Sequence, residues 1–189
     1  MQRRTLLKGL GAVPLLAAQG YVFAREATEA KGEIMVEELQ KNWKMLLADG
    51  ADVAPDSQPL VLSKEDWHKR LAPAQYHVLR EEGTEGAGTS VLNDEKRPGV
   101  FVCGGCALPL FTSAMKFDSG TGWPSFFTTI PEAFGTSRDF KLVWPRTEYH
   151  CARCGGHHGH VFKDGPAPTG LRYCNNGVAL RFIPKTGKV

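Results

Sequence analysis

Four of the five cysteines in this chain fall into two Cys-x-x-Cys pairs, Cys103 with Cys106 and Cys151 with Cys154. Two such pairs supply four thiolates that can close tetrahedrally around Zn²⁺. A site with four protein ligands leaves no open position for a substrate, so the metal in it is structural. The spacing therefore predicts one structural zinc ion per chain, bound by these four residues.

Two other interpretations of the paired cysteines stay open at this point. Two disulfides would suit an exported protein. A redox dithiol is the second alternative, although a thioredoxin-like Cys-x-x-Cys motif usually occurs once, next to a βαβ pattern.

The fifth cysteine, Cys174, is a candidate nucleophile. It follows a predicted strand at residues 171–173, and loops at strand ends often carry catalytic groups. The thiolate is the reactive form, and its pKa falls beside cations, which Arg172 and a protonated His157 or His160 would supply. A buried structural cysteine is the alternative.

Four other polar residues near Cys174 in the sequence are candidates. The amide of Asn176 is a possible hydrogen-bond donor to the thiolate. His158 and His160 would share a face of a regular strand, whereas His157 and His160 would do so only through a turn. Each histidine by itself is equally consistent with a ligand, an acid or an ordinary loop residue. No His-Glu-x-x-His pattern is present, which argues against a hydrolytic zinc site.

The stretch 116–127 carries one more candidate. Gly120 and Gly122 form a flexible turn directly before Trp123-Pro124. Trp123 is either a core residue or an exposed wall against an apolar or methylated group of a substrate.

The elements that position these residues change in type along the chain. Residues 27–49 predict a helix after a polar start, and residues 50–59 a linker. Ser63 opens a capping box, and Pro73 starts a second short helix before a loop at 81–99. The expected apolar face of the first helix holds Ile34, Leu39, Trp43, Leu46 and Leu47.

The second half of the chain reads as short strands bounded by Gly, Pro, Asn or Asp. Helices followed by strands indicate an α+β or mostly-β domain. The β-prone runs are 100–102, 140–143, 148–149, 160–162, 171–173 and 179–183.

The N-terminus has the features of an export signal. Arg3-Arg4 precede an uncharged apolar run, and Ala24 ends a small-residue cleavage site. The paired arginines favour the twin-arginine route to the bacterial periplasm, with a general secretory signal or an uncleaved anchor as alternatives. We expect a signal at 1–24, an extension at 25–59 and a catalytic domain at 60–189.

The composition excludes some classes of partner. A length of 189 residues, 42% hydrophobic and 23% charged, is ordinary for one soluble domain. Without residues 1–24 the chain keeps 20 basic and 20 acidic residues, so its basic pI gives no argument for nucleic acid or membrane binding. In an exported protein the odd number of cysteines indicates a free thiol or an intermolecular pair, and assigning four cysteines to the metal leaves one.

The candidate residues fall within four longer motifs. These are Cys-Gly-Gly-Cys at 103–106, Lys-Phe-Asp-Ser-Gly-x-Gly-Trp-Pro-Ser-Phe at 116–126, Cys-x-x-Cys-Gly-x-His-x-Gly-His-Val-Phe at 151–162 and Asp-Gly-Pro-x-Pro-Thr-Gly-Leu-Arg-Tyr-Cys-x-Asn at 164–176. Through these motifs, residues from about 60 to 185 resemble the B-type methionine-R-sulfoxide reductases, whose reaction reverses methionine oxidation. The resemblance implies a mostly-β fold of two small antiparallel sheets, with N-terminal helices packed outside and a structural zinc site.

The resemblance also implies roles for individual residues at a substrate site. These are Cys174 as the nucleophile, His157 and His160 as the acid and orienting groups, Asn176 and Arg172 as groups that tune the thiolate, Trp123 as the wall for the substrate methyl group, and Asp164 as the group that orients His160.

The implied reaction reduces the R epimer of methionine sulfoxide in proteins through a Cys174 sulfenic acid. Many family members carry a resolving cysteine where this chain has Thr121, so we expect an external reductant, either a thioredoxin-like protein, a glutaredoxin or a small thiol. His158 stands where a leucine is usual, which suggests a more polar pocket edge. We expect a monomer without stable membrane insertion.

Two rival functions remain. A zinc-ribbon binding module would make Cys174 and the histidines idle. A thiol peroxidase would use Cys174 but would not need Trp123.

Overall fold

Three α-helices come first in the chain. In the computed structural model, which describes residues 15–140 and 145–185, they are α1 Leu15–Lys41, α2 Lys64–Arg70 and α3 Pro73–Glu81. A 3₁₀-helix at residues 43–46 follows α1.

The starts of α2 and α3 follow the predicted local chemistry. The Ser63 hydroxyl accepts a hydrogen bond from the Asp66 N–H at 3.1 Å, which satisfies one of the free donors of the first turn. Pro73 occupies the first turn of α3, where its missing N–H costs nothing. Both helices bury one apolar face, through Trp67 in α2 and Leu79 in α3.

Helix α1 differs from its prediction. Most of its residues from Thr28 onward are exposed, and Ile34, expected on the buried face, is 61% exposed. From Thr28 onward, the members of the expected face that pack against the core are Leu39, Trp43, Leu46 and Leu47, at the end of the helix and in and after the 3₁₀-helix. Residues 1–14 of the predicted signal lie outside the described residues. Among the helices that are described, none has an apolar stretch long enough to cross a membrane.

The described residues after the helices form nine strands in two antiparallel sheets. The smaller sheet has the order β2-β1-β9, and the larger has the order β3-β4-β8-β7-β6-β5. The strands are β1 Gly99–Cys103, β2 Pro109–Thr112, β3 Lys116–Phe117, β4 Ser125–Phe126, β5 Phe134–Asp139, β6 Arg146–Cys151, β7 His157–Phe162, β8 Arg172–Asn175 and β9 Leu180–Pro184.

This architecture confirms the predicted mostly-β class with helices outside two small sheets. Strand β5 was missed because its sequence is largely polar and lacks apolar alternation, and β3 and β4 because they are only two residues long. The run 140–143 is a different case: Phe140 lies outside any strand, and 141–143 fall outside the described residues.

An aromatic cluster joins the two sheets. Phe101 and Phe111 come from the small sheet, and Phe126 from the large one; all three are fully buried. The rings of Phe111 and Phe126 stack with centroids 3.9 Å apart, and Phe101 meets Phe126 edge-on at 5.1 Å. Such pairs add about 0.5–1.5 kcal/mol each beyond the area they bury. The core therefore fixes the large sheet, which carries the candidate site, against the small one.

Candidate active site

The two cysteine pairs meet in space. The sulfur atoms of Cys103, Cys106, Cys151 and Cys154 all lie within 4.8 Å of one another, and all four residues are buried free thiols. Cys103 Sγ is 3.7 Å from Cys154 Sγ, and Cys106 Sγ is 3.5 Å from Cys151 Sγ. Zinc–sulfur bonds of about 2.3 Å give a tetrahedron with edges of about 3.8 Å. The four residues can therefore hold a metal ion.

Both pairs use the same turn. Cys103 accepts a hydrogen bond from the Ala107 N–H, and its own N–H donates to the Leu108 carbonyl. The same two bonds recur in the second turn, from Gly155 to Cys151 and from Cys151 to Gly156. The residue after each pair has a left-handed backbone, Gly155 with φ 65° and Ala107 with φ 61°. This repeated geometry presents two sulfurs from each turn to a common centre.

The metal site ties three layers together. The first turn joins β1 to β2 in the small sheet, and the second joins β6 to β7 in the large one. Helix α2 reaches the first turn through Arg70 Nε and the Gly105 carbonyl at 2.8 Å. Helix α3 reaches the second through Arg80 Nη1 and the Cys154 carbonyl, also at 2.8 Å. A metal bound here would cross-link both sheets beneath the helices.

The thiols strongly affect one another's ionisation. Hydrogen bonds from Cys103, Cys106 and Cys151 hold the pKa of Cys154 well below its ordinary value. The pKa of Cys103 lies well above it, because of its hydrogen bonds with the other three thiols and its burial. Like charges this close cannot all form unless a cation lies between them. A divalent metal ion held by the four cysteines would supply that cation.

Cys174 lies apart from this cluster, in the middle of the large sheet. In the strand register it stands opposite His160 of β7 on one side and Ser125 of β4 on the other. Directly opposite residues on antiparallel strands project from the same face, so Cys174 and His160 side chains are neighbours. Gly159 permits this close pairing, because a Cβ there would lie 2.0 Å from the Cys174 carbonyl oxygen.

A small pocket opens at Cys174. Its volume is about 130 Å³, or about four times the ~30 Å³ share of one water molecule in the liquid. That is room for the end of one side chain. The lining residues are Thr84, Trp123, Arg146, Gly159, His160, Phe162, Cys174, Asn175 and Asn176.

The thiol of Cys174 is subject to opposing influences. Burial raises its pKa, while the positive charge of Arg172 and a hydrogen bond from the Thr121 hydroxyl lower it. The effect of burial is the larger one, so the pKa of Cys174 lies above the ordinary thiol value. The Arg172 charge therefore acts in the expected direction, but its effect on the pKa is smaller than that of burial. The cations reduce the cost of burying a thiolate but do not remove it.

Thr121 belongs to a row of hydroxyl groups beneath Cys174. Its Oγ1 lies 2.8 Å from Ser119 Oγ, which lies 2.8 Å from Ser125 Oγ. Ser125 in turn donates to the Trp123 carbonyl at 3.1 Å. The row holds Thr121 in place at the sulfur.

His160 is held by Asp139, a residue that the motifs do not contain. His160 Nε2 lies 2.8 Å from Asp139 Oδ2, which also accepts a hydrogen bond from Arg146 Nη2 at 2.6 Å. Burial lowers the His160 pKa, and the Asp139 carboxylate opposes this only in part. The expectation that Asp164 orients His160 is wrong, because the carboxylate at His160 comes from the β5–β6 hairpin.

Asp164 is instead the partner of Arg172. Its two carboxylate oxygens accept hydrogen bonds from Arg172 Nε and Nη2, both at 2.9 Å. The guanidinium also lies 4.4 Å from the centroid of the Phe162 ring. These contacts fix the Arg172 charge next to Cys174.

His157 shares a side of the sheet with His160 but does not line the pocket. In the strand register Tyr149 pairs with Gly159 and His150 with His157, so β7 has one extra residue, His158, at a β-bulge. Beyond the bulge, the alternation of β7 side chains between the two faces of the sheet is shifted by one residue. The His157 and His160 rings lie 5.5 Å apart. His157 Nδ1 is 2.6 Å from Glu148 Oε1, so this histidine is fixed behind the one in the pocket.

His158 faces the opposite way. It is fully buried, and its Nε2 lies 3.4 Å from Cys103 Sγ in the metal site. Burial lowers its pKa to about 4, so the ring is neutral near pH 7. The expected polar pocket edge is therefore wrong. The bulge that brings His157 beside His160 also turns His158 into the core.

Glu85 organises the other wall of the pocket. Its carbonyl accepts the Trp123 Nε1–H at 3.1 Å, and its N–H donates to Asn176 Oδ1 at 2.9 Å. Its carboxylate accepts the N–H groups of Gly177 and Val178. The Asn176 amide donates to the His158 carbonyl at 3.0 Å. The hydrogen bonds of Asn176 therefore hold this wall of the pocket in place and do not go to the Cys174 sulfur.

No local pattern in the sequence marks Asp139, Arg146 or Glu85 as residues of the site. Asp139 and Arg146 are partners across the β5–β6 hairpin and belong to none of the recognised motifs. Glu85 lies in a glycine-rich loop that predicts no regular structure. Only the Asp139–Arg146 pairing across a predicted hairpin would have been a usable signal, and β5 was not predicted.

Comparisons with known proteins agree with these features. A family model described as the SelR domain matches residues 71–184. A peptide methionine sulfoxide reductase MsrB of Leifsonia xyli is 48% identical over 136 residues, which cover 71% of this chain and 98% of the relative. A protein of the same name from Pseudomonas putida is 52% identical over 124 residues, covering 65% and 93%. The mitochondrial methionine-R-sulfoxide reductase B3 of Mus musculus is 48% identical over 126 residues, covering 66% and 50%.

Proposed function

The chain belongs to the B-type methionine-R-sulfoxide reductases, which reduce methionine sulfoxide in proteins, and from this premise we propose that Cys174 performs the reduction through a sulfenic acid. The observation that carries the proposal is the pairing of Cys174 with His160 at a pocket walled by Trp123.

In the proposed reaction the Cys174 thiolate attacks the sulfoxide sulfur. This attack forms a sulfur–sulfur bond, and the sulfur–oxygen bond of the substrate breaks once the oxygen is protonated. The oxygen is delivered to the cysteine sulfur as the sulfur–sulfur bond breaks, which leaves Cys174 as a sulfenic acid and releases methionine. The substrate sulfur gains two electrons and the cysteine sulfur loses two. Because thiol and sulfoxide become sulfenic acid and thioether, no proton is consumed overall.

His160 is the proposed proton donor to the sulfoxide oxygen. Support comes from its position opposite Cys174 and from the Asp139 carboxylate at Nε2, which leaves Nδ1 as the nitrogen able to release a proton. A positioned acid of this kind contributes about 10²–10⁴-fold to a rate. His157 is proposed to position His160, since it lies behind that ring and outside the pocket.

Trp123 is the proposed wall for the substrate methyl group. Its indole N–H is bonded to the Glu85 carbonyl, so the ring is held in place at the pocket. With the methyl group against Trp123 and the oxygen toward His160, the R configuration fits and the S configuration exchanges the two groups.

Zinc is the proposed metal of the four-cysteine site. Four thiolates at tetrahedral spacing suit Zn²⁺, which supplies no chemistry to the substrate when all four positions are protein ligands. Its proposed role is to stabilise the fold by cross-linking the β1–β2 and β6–β7 turns, to which α2 and α3 are hydrogen-bonded.

An external thiol is the proposed reductant. With Cys103, Cys106, Cys151 and Cys154 in the metal site, Cys174 is the one remaining cysteine of the sequence. A thiol condenses with the sulfenic acid to give a mixed disulfide and water, and a second thiol releases Cys174. A thioredoxin-like protein, a glutaredoxin or a small thiol would serve.

Export and oligomeric state complete the proposal. The Arg3-Arg4 pattern supports delivery to the bacterial periplasm by the twin-arginine route, which carries proteins already folded. A monomer is proposed, since the pocket is built from one chain.

The proposal is tested with separate R and S diastereomers of a methionine sulfoxide peptide. The wild type should reduce the R form alone, and Cys174→Ser should reduce neither. Intact mass after one turnover without reductant should show Cys174 gaining one oxygen atom. An internal disulfide with the metal retained would contradict the external-thiol route, and a Trp123→Ala variant with full peroxide turnover would favour a peroxidase.

A further inference from the structure

A second and larger hollow lies beside the candidate active site. It has a volume of about 480 Å³ and opens between α3, the loop at 84–92 and the segment 177–182. Volumes of this size are typical of ligand pockets. The proposed reaction at Cys174 does not use this hollow.

The hollow is an apolar groove. Most of its exposed lining is apolar and includes the side chains of Val78, Leu92, Val178, Leu180 and Phe182. The polar residues His77, Thr84, Thr89 and Ser90 also border it. The carboxylate of Glu85, which also borders it, is already occupied by two backbone N–H groups. A ligand in the groove would therefore be recognised by apolar contact.

The groove continues from the reactive pocket. Thr84 lines both, and the segment from Cys174 to Val178 runs from one to the other. Four residue steps span at most about 14 Å, even in a fully extended chain. An extended peptide whose oxidised methionine enters the pocket would thus place a residue within about four positions of it at the groove.

The reactive pocket cannot hold more than a side-chain end, so the rest of a polypeptide substrate must lie outside it. We propose that this groove binds an apolar side chain of the substrate polypeptide, within about four residues of the methionine sulfoxide. The inference rests on the proposed function. It gives the substrate class as extended segments rich in apolar residues, which are segments that a folded protein buries.

The test compares three substrates as R sulfoxides: N-acetyl-methionine sulfoxide methylamide, and two eight-residue peptides whose flanking positions carry either leucine or serine. The wild type should reduce the leucine peptide with a kcat/KM about tenfold above the serine peptide, the scale expected for burying one such side chain. The gain should appear in KM.

Two variants sharpen the test. Val91→Asp places a charge at the rim, at a side chain 85% exposed, and Ala74→Trp fills the groove from an exposed position of α3. Both should lose the preference for leucine and leave the single-residue substrate unchanged. Val61→Asp, at an 88% exposed position outside the groove, is the matched control and should behave as wild type.

The outcomes separate the inference from the proposed function. If the wild type reduces none of the three substrates, the proposed function is wrong. If it reduces the peptides but treats both alike, the groove inference is overturned. An equal loss on all three substrates in Val91→Asp and Ala74→Trp would overturn it as well, since it would mark a general structural effect.

Discussion

The two sulfur sites of this protein use the same side chain for opposite purposes. In the metal site four buried thiols surround one another, and none of them lines the reactive pocket or the apolar groove. Cys174 has no second thiol nearby; its neighbours are a hydroxyl, a guanidinium and a cavity. The groups that surround each cysteine therefore decide its chemistry. The two sites share the large sheet, since β6, which ends at Cys151, and β8, which holds Cys174, both belong to it.

The largest contrast should appear when one cysteine of each kind is removed. Cys106→Ser should lose the metal and, since structural zinc contributes about 10–16 kcal/mol in small zinc modules, should fail to fold stably. Cys174→Ser should fold with an unchanged Tm and lose turnover entirely. Thermal unfolding and metal analysis of both variants measure the difference. A stable, active Cys106→Ser variant would end the division of roles.

Removing the carboxylate behind His160 should have the next largest effect. The Asp139 hydrogen bond raises the His160 pKa against the effect of burial, so Asp139→Asn should lower that pKa further. Less His160 would then be protonated at neutral pH, and kcat should fall by about 10–100-fold.

The pH profile distinguishes this from a folding defect. The limb of the turnover profile controlled by protonated His160 should move to lower pH in Asp139→Asn, while the limb set by the Cys174 thiolate stays in place. A uniform loss at every pH would contradict a role for Asp139 in setting the His160 pKa.

A smaller effect is expected at the contact between the metal site and β7. His158→Leu removes the Nε2 contact to Cys103 Sγ and fills the same buried position with an apolar side chain of similar size. Metal affinity should fall by about tenfold, as when a neighbour of a metal ligand is removed. Competition with a chromophoric chelator measures it. Sulfoxide turnover of the metal-loaded variant should not change.

The smallest effect should come from the hydroxyl at Cys174. Thr121→Val removes a hydrogen bond that lowers the thiol pKa, so the pKa should rise and alkylation at neutral pH should slow by about threefold, or ~0.7 kcal/mol. Thr121→Ser keeps the hydroxyl and is the matched control. Equal alkylation rates for the valine and serine variants would show that the hydroxyl does not act on the sulfur.

The sequence by itself was enough for everything that depends on local spacing. Some of its patterns are short enough to be interpreted without knowing the fold. These are the Cys-x-x-Cys pairs, the unpaired Cys174 and the glycine turn before Trp123. The caps at Ser63 and Pro73 are equally local, since a cap acts within one helical turn. The family and the mostly-β class followed from these patterns.

The tertiary structure decided what depends on strand register and burial. A single extra residue in β7 sends His158 to the core and brings His157 beside His160, contrary to regular alternation. Asp139, rather than Asp164, reaches His160 because β5 pairs with β6 beside β7. Burial, which no pattern of charges in the sequence reveals, outweighs Arg172 and raises the Cys174 pKa. These outcomes come from long-range contacts, so local sequence could not specify them.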